Sequence, residues 1–288
     1  MNIANGRLMT DPAMGLVPEG IVARSGSSFR LGMRLLPAER RRAIIAIYAF
    51  CRSVDDIVDG PLPLTDKAAG VDAWERELDL AAHGKAATPV GRDLAHAIAR
   101  FDLPPEEFAL VIDGMRMDLR GILAPDRATF QAYIRRVAGA VGILSMHVFG
   151  AWRGETSRRF ALSLARALQI TNILRDIEED AGLGRLYLPA DLLRDAGIPA
   201  DPSRVPGAPG LPKVRARLAT EAREAFGEAR HEIAGHPRLR LAPALLMMGP
   251  YDRLLRCIEA DPSRPPPRRG RIGKAYDGIR CMVQPGRG

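Results

Sequence analysis

The sequence predicts a single all-α domain, and three observations carry that prediction. Apolar residues recur at three- and four-residue intervals along nearly the whole 288-residue chain, and no stretch alternates apolar with polar residues as a strand would. Aromatic residues make up only 5% of the chain, whereas sandwiches and barrels favour aromatic and β-branched faces. No segment repeats another, which removes the solenoids.

The helices follow in order. Residues 38–59 open with Ala-Glu-Arg-Arg-Arg, run apolar at helical spacing and meet Gly60-Pro61, a stop signal. Residues 66–83 and 90–101 read as the next two helices. Residues 104–120 start on proline, where a missing N–H costs little. Residues 126–152 are strongly apolar and form one long helix or a pair. Residues 156–181 form another, ended by Gly182 and Gly184, and 213–235 and 238–259 supply two more. Residues 198–212 hold five prolines and two glycines and read as loop. The expected organisation is an N-terminal segment (1–24), one domain (25–260) and a flexible Pro/Arg-rich tail (261–288) that buries little and carries many helix breakers.

Charge narrows the function classes. Lys and Arg number 42 against 34 Asp and Glu, a net charge of +8. Almost all of it is Arg, since Lys occurs only at 67, 85, 213 and 274, and the arginines are scattered. A nucleic-acid module concentrates its charge beside stacking aromatics, so no nucleic-acid partner is expected. The longest apolar runs, 43–51 and 138–146, fall short of the ~18–20 residues of a membrane span. Three cysteines make no disulfide framework, and residues 1–23 do not read as a secretory signal, so a cytoplasmic location is expected.

The sharpest feature is a repeated carboxylate spacing. Residues 55–59 read Asp-Asp-Ile-Val-Asp and residues 176–180 read Asp-Ile-Glu-Glu-Asp. On a helix, positions i and i+4 share a face, so Asp55/Asp59 and Asp176/Asp180 would each project as a pair. Like charges so placed repel, and become favourable when a hard divalent cation sits between them. Mg²⁺ suits one or two carboxylates, completing its shell with water and substrate phosphate. Tyr48 and Arg52 fall on the first stripe. Gln169 and Asn172 fall on the second, with Arg175 adjacent. Buried amides need hydrogen-bond partners, and guanidinium forks suit phosphate oxygens. Each arginine has an alternative reading as a salt bridge to the neighbouring Asp.

The motifs Ser27-Ser28-Phe29, 46–52 (Ala-Ile-Tyr-Ala-Phe-Cys-Arg), 55–59, Tyr133 with 136–142 (Arg-Val-Ala-Gly-Ala-Val-Gly), 169–180 and 185–189 (Arg-Leu-Tyr-Leu-Pro) resemble the squalene/phytoene synthase family, in the family's order. The resemblance covers about residues 25–260. It implies the isoprenoid synthase fold around a central apolar cavity, and a prenyltransferase that joins two prenyl diphosphates head to head. It implies that Asp55, Asp59, Asn172, Asp176 and Asp180 hold Mg²⁺. It places Ser28, Arg52, Gln169, Asn172 and Arg175 in the diphosphate and metal region, with Arg185 and Tyr187 continuing the substrate set. It sets Phe29, Tyr48 and Tyr133 near the reacting carbons, and Val137 and Ala138 where prenyl chains pass close to the helix backbone.

Residues 133–150 look most like the members that convert two farnesyl diphosphates to presqualene diphosphate and stop there, in hopanoid and squalene pathways. No NADPH is expected, and no dinucleotide fingerprint is present. Members that make phytoene or dehydrosqualene are the alternative, and a non-catalytic helical assembly factor is an alternative of another class. All four motif aspartates are retained, which favours catalysis. The resemblance also implies downstream enzymes that consume the product, and a lipid-like product makes peripheral membrane contact a reasonable expectation. Asp113 and Asp118 carry lower weight, because a spacing of five does not share a helix face. His147 reads as a packed histidine and Cys51, Cys257 and Cys281 as inert small residues.

Overall fold

In the computed structural model, residues 30–267 and 269–285 are described, together with Pro18 and Gly20. Thirteen helices are introduced here as α1 to α13. After the short α1 (Arg30–Arg34), α2 (Ala38–Asp59) ends where Gly60 leaves helical geometry. α3 is Leu64–Ala82. α4 (Pro89–Phe101) is capped by Thr88, whose side chain accepts the Gly91 N–H, with proline at the first helical position. α5 is Pro105–Arg120. α6 (Arg127–Ile134) is capped by Asp126, which accepts the Thr129 N–H at 2.7 Å. It passes through one wide turn, Arg135–Gly139, with π-type hydrogen bonding, into α7 (Ala140–Phe149). Gly150, at φ +69°, stops α7 three residues before the sequence expectation.

α8 (Glu155–Arg175) and α9 (Ile177–Gly182) meet at Asp176. The expected single helix over 156–181 is therefore broken inside the second aspartate motif. The physical reason is the Arg175–Asp176 pair, with Nε–Oδ1 at 2.7 Å. Consecutive helical residues point about 100° apart, so this fork forms only when Asp176 leaves the helix, at φ −101° and ψ 12°. Then come α10 (Ala190–Asp195), α11 (Leu211–Glu232), α12 (Arg238–Ala260) and α13 (Arg271–Val283). The last differs from the flexible tail read over 261–288. Its Gly278 lies so close to α12 that a Cβ there would stand 2.5 Å from the Leu246 carbonyl oxygen. Glycine, a breaker by composition, is here what admits the helix onto its neighbour.

One continuous apolar core joins the helices, with Phe50, Trp74, Phe130, Phe160 and Phe226 fully enclosed. α8 and α11 lie along one another, and the Arg159–Glu232 and Arg166–Glu228 pairs, both at 2.8 Å, tie their polar edges. Asp252 of α12 is buried and held by Arg223, Arg230 and Arg256, which keep its carboxyl below the usual range against the opposing effect of burial. Among the described residues there is no strand, only a single bridge between Leu123 and Leu186.

Candidate active site

Helices α2, α5, α8 and α12 and the α6–α7 pair enclose a cavity of about 700 Å³. This lies within the ~300–1,000 Å³ usual for small-molecule sites. Its deep part is apolar, with Ile44, Met146, Phe149 and Phe160, and its mouth is charged. The mouth receives Arg52, Asp55 and Asp59 from α2, and Gln169, Asn172 and Arg175 from α8. Asp176 and Asp180 reach it from the α8–α9 junction, and Arg185 and Tyr187 from the segment beyond. Tyr48, Tyr133, Val137 and Ala138 line the wall beneath. Fourteen of the sixteen residues expected from the sequence thus meet in one cavity. The other two, Ser28 and Phe29, lie outside the described residues.

Two local devices aim these side chains. The wide turn Arg135–Gly139 sets both Val137 and Ala138 toward the cavity. π-type turns of this kind recur at functional sites. It packs on α5 at Gly114, where a Cβ would stand 2.7 Å from Val137 Cγ1. Arg135 anchors it by donating two hydrogen bonds to the buried Glu107 carboxylate, at 2.6 and 2.7 Å. The second device is the Leu186 bridge. Leu186 donates to the Ile122 carbonyl at 3.0 Å and accepts from the Ala124 N–H at 2.8 Å. Extended residues alternate sides, so pinning Leu186 to the protein turns Arg185 and Tyr187 together into the mouth.

The arginines are paired with the aspartates. Arg185 contacts Asp59 at 2.6 Å, Arg52 contacts Asp55 at 3.1 Å and Asp56 at 2.5 Å, and Arg175 holds Asp176. Arg52 and Arg175 thus both form the salt bridges to neighbouring aspartates that the sequence offered as their alternative reading. Asp55 and Asp180 nevertheless stay out of balance. Burial, then the neighbouring Asp59, pushes the Asp55 carboxyl up to about 6. Burial, then Asp176, pushes Asp180 up to about 7. The Asp55 side chain is 42% exposed, but that surface faces the concave mouth, where other carboxylates stand.

Asp118 is the residue that sequence reasoning underweighted. It accepts from Tyr187 Oη at 2.7 Å and Tyr133 Oη at 3.3 Å, beneath tyrosine rings stacked 5.0 Å apart. Burial raises its carboxyl to about 6, against the lowering effect of the Tyr187 bond. Its partners are 15 and 69 residues away, so no local spacing could have revealed them. Tyr251 of α12 and Lys274 of α13 also line the cavity, and nothing in the sequence pattern singles them out. Cys51 lines it as well, with a thiol that burial raises to about 12. His147 instead stacks on Trp152 at 4.3 Å.

The donor set fits a hard cation. It is all oxygen, and Asn172 Oδ1 is buried with no hydrogen-bond partner, an acceptor that awaits a ligand. Among the described residues no three His, Cys, Asp or Glu side chains stand together closely enough to hold a metal ion by themselves.

Known proteins resemble this chain. The Squalene/phytoene synthase family model matches residues 22–274. A presqualene diphosphate synthase from Zymomonas mobilis is 44% identical over 234 residues, 80% of this chain and 79% of that protein. A phytoene synthase from Mycobacterium tuberculosis is 41% identical over 182 residues, 63% of this chain and 59% of that protein. The crystal structure of a squalene synthase from Alicyclobacillus acidocaldarius superimposes with a TM-score of 0.72 at 29% identity, covering 88% of this chain and 99% of the other. An all-helical enclosure with two aspartate motifs at one mouth, matched over most of its length, places the chain in the squalene/phytoene synthase family.

Proposed function

We propose that the chain is a prenyltransferase that condenses two farnesyl diphosphates head to head into presqualene diphosphate. One diphosphate and one proton are released as the cyclopropane closes. The observation that carries this reading is the convergence of both aspartate motifs and three arginines on the mouth of one apolar cavity. The more extensive likeness to presqualene diphosphate synthase than to phytoene synthase supports the choice of product.

Asp55, Asp59, Asn172, Asp176 and Asp180 hold Mg²⁺. Bound there, the ion supplies Lewis-acid stabilisation of a departing diphosphate. The chain's own residues do the rest. Arg52, Arg175 and Arg185 exchange their carboxylate partners for diphosphate oxygens, and their charge is worth most in a cavity that excludes water. Asn172 and Gln169 orient the same group. Tyr48 and Tyr133 stand beside the reacting carbons, and Asp118 fixes the Tyr133 ring. The apolar wall offers a developing carbocation nothing that would attack it. The released diphosphate accepts the proton lost on ring closure. No reductant enters this balance.

A farnesyl chain buried to its tail gains up to ~10 kcal/mol at ~0.8 per methylene, before the costs of association. The product is amphiphilic, so the reading includes hand-over to downstream enzymes and peripheral contact with a membrane. No helix among the described residues is long and apolar enough to cross one.

The test is incubation with farnesyl diphosphate and Mg²⁺ without NADPH. Presqualene diphosphate is the expected product. Phytoene from geranylgeranyl diphosphate, or dehydrosqualene, would replace this reading with the alternative. No turnover of either substrate would favour the assembly factor.

A further inference from the structure

Helix α13 is apolar on the wrong side for a protein surrounded only by water. Ile272 is 88% exposed, Tyr276 63%, Ile279 49% and Val283 60%. The intervals are four, three and four residues, which draw one stripe along the helix. The opposite face does the packing, through Gly278 against α12 and through Cys281 and Met282 against the core. Lys274, also on that inner side, reaches the cavity. Among the described residues eleven large apolar side chains are exposed, and four of them fall on these 13 residues. Chance scatter does not concentrate them so.

Charge indicates what covers the stripe. Arg271 and Arg280 are exposed on the helix, and its only acid, Asp277, is held by Arg269 at 2.5 Å. The outer surface is thus apolar with an unbalanced basic edge, the pattern of a helix that lies in the plane of an anionic bilayer.

We propose that α13 docks the protein on an anionic membrane surface, its stripe among the acyl chains and its arginines at the headgroups. The docking rests on the stripe alone. One consequence rests on the function proposed above: the same helix contributes Lys274 to the cavity, so docking brings the cavity wall to the lipid into which an amphiphilic product passes.

Flotation of the full chain, without substrate, tests it. Vesicles of phosphatidylglycerol and phosphatidylcholine should carry the protein at low salt, and pure phosphatidylcholine or high salt should carry far less. Ile272→Glu and Ile279→Glu should each lower partitioning about tenfold or more. Arg280→Gln should lower it about fivefold. Ile279→Leu should bind as the parent does, and so should Leu64→Glu, which removes an exposed leucine of α3 instead. Turnover of detergent-dispersed farnesyl diphosphate should be unchanged in Ile279→Glu, which separates failure of docking from failure of the enzymatic reading. Three results would overturn the proposal. They are no flotation with anionic vesicles at low salt, parental flotation of both glutamate variants, and a stable dimer that those variants split while vesicles carry nothing.

Discussion

The two aspartate motifs share a spacing but not a structure. Asp55 and Asp59 sit on unbroken α2, whereas Asp176 lies at the break between α8 and α9, with Asp180 on the shorter piece. Asp176 belongs to both pieces: its N–H donates to the Asn172 carbonyl at 2.9 Å and its carbonyl accepts from the Asp180 N–H at 2.8 Å. Arginine meets the pairs unequally. In the first motif both aspartates are touched, Asp59 by Arg185 at 2.6 Å and Asp55 by Arg52 at 3.1 Å, whereas in the second only Asp176 is held, by Arg175. The carboxyls left raised are Asp55 and Asp180, one per motif. Each motif therefore offers one carboxyl raised by burial and a neighbouring aspartate, and these two gain most from a cation.

Removing the two raised carboxyls tests the comparison hardest. Asp55→Ala and Asp180→Ala should each lower kcat by about a thousandfold or more, with the circular-dichroism spectrum retained. The double variant should be little worse than either single one, since the groups act as a unit. Retention of turnover in both would remove the metal assignment. Arg185→Gln should cost about a hundredfold, because it strips Asp59 of its partner. It should also move the acid limb of the pH profile upward, since the Arg185 charge lowers the Asp180 carboxyl.

A smaller effect reads stability. Asp55 and Asp180 are carboxyls raised in the folded state, so the folded chain binds protons more tightly than the unfolded one. Their contribution favours the fold at low pH and is lost as pH rises from about 4 to about 7. Asp180→Asn should therefore stabilise the metal-free protein at pH 8 while abolishing turnover. Discounted for solvent screening, the gain is about 1 kcal/mol, or about 2–4 °C in melting temperature. An unchanged or lower melting temperature would contradict the raised carboxyl. Smallest of all, Asp56→Asn and Glu179→Gln, exposed positions inside the motifs, should keep kcat/KM within about threefold.

The sequence made the long helices and most of the site legible, because both obey local rules. An apolar stripe marks a helix, and an Asp-x-x-x-Asp or a Gln-x-x-Asn at helical spacing marks a shared face. What escaped depends on distant partners. The break at Asp176 depends on an ion pair that helical spacing forbids, and the role of Asp118 depends on Tyr133 and Tyr187. The Arg185–Asp59 contact joins segments 126 positions apart. α13 was hidden by its composition, since prolines precede it and glycines lie within it, and Gly278 breaks a helix in isolation but fits one to a neighbour.

The wide turn at Arg135–Gly139 amounts to a helix carrying one residue more than its path requires. Each residue ordinarily advances a helix by about 100°, so a single deletion within α6 or α7 would swing one half of the wall out of phase with the other. Inside the wide turn the surplus is already absorbed. Removal of one residue there would close it to an ordinary turn and leave Tyr133 on one side and Gly142 on the other still facing inward. This is the place in the wall where chain length can change without loss of phase. What would vanish is the local broadening that lets two consecutive side chains, Val137 and Ala138, face the cavity together.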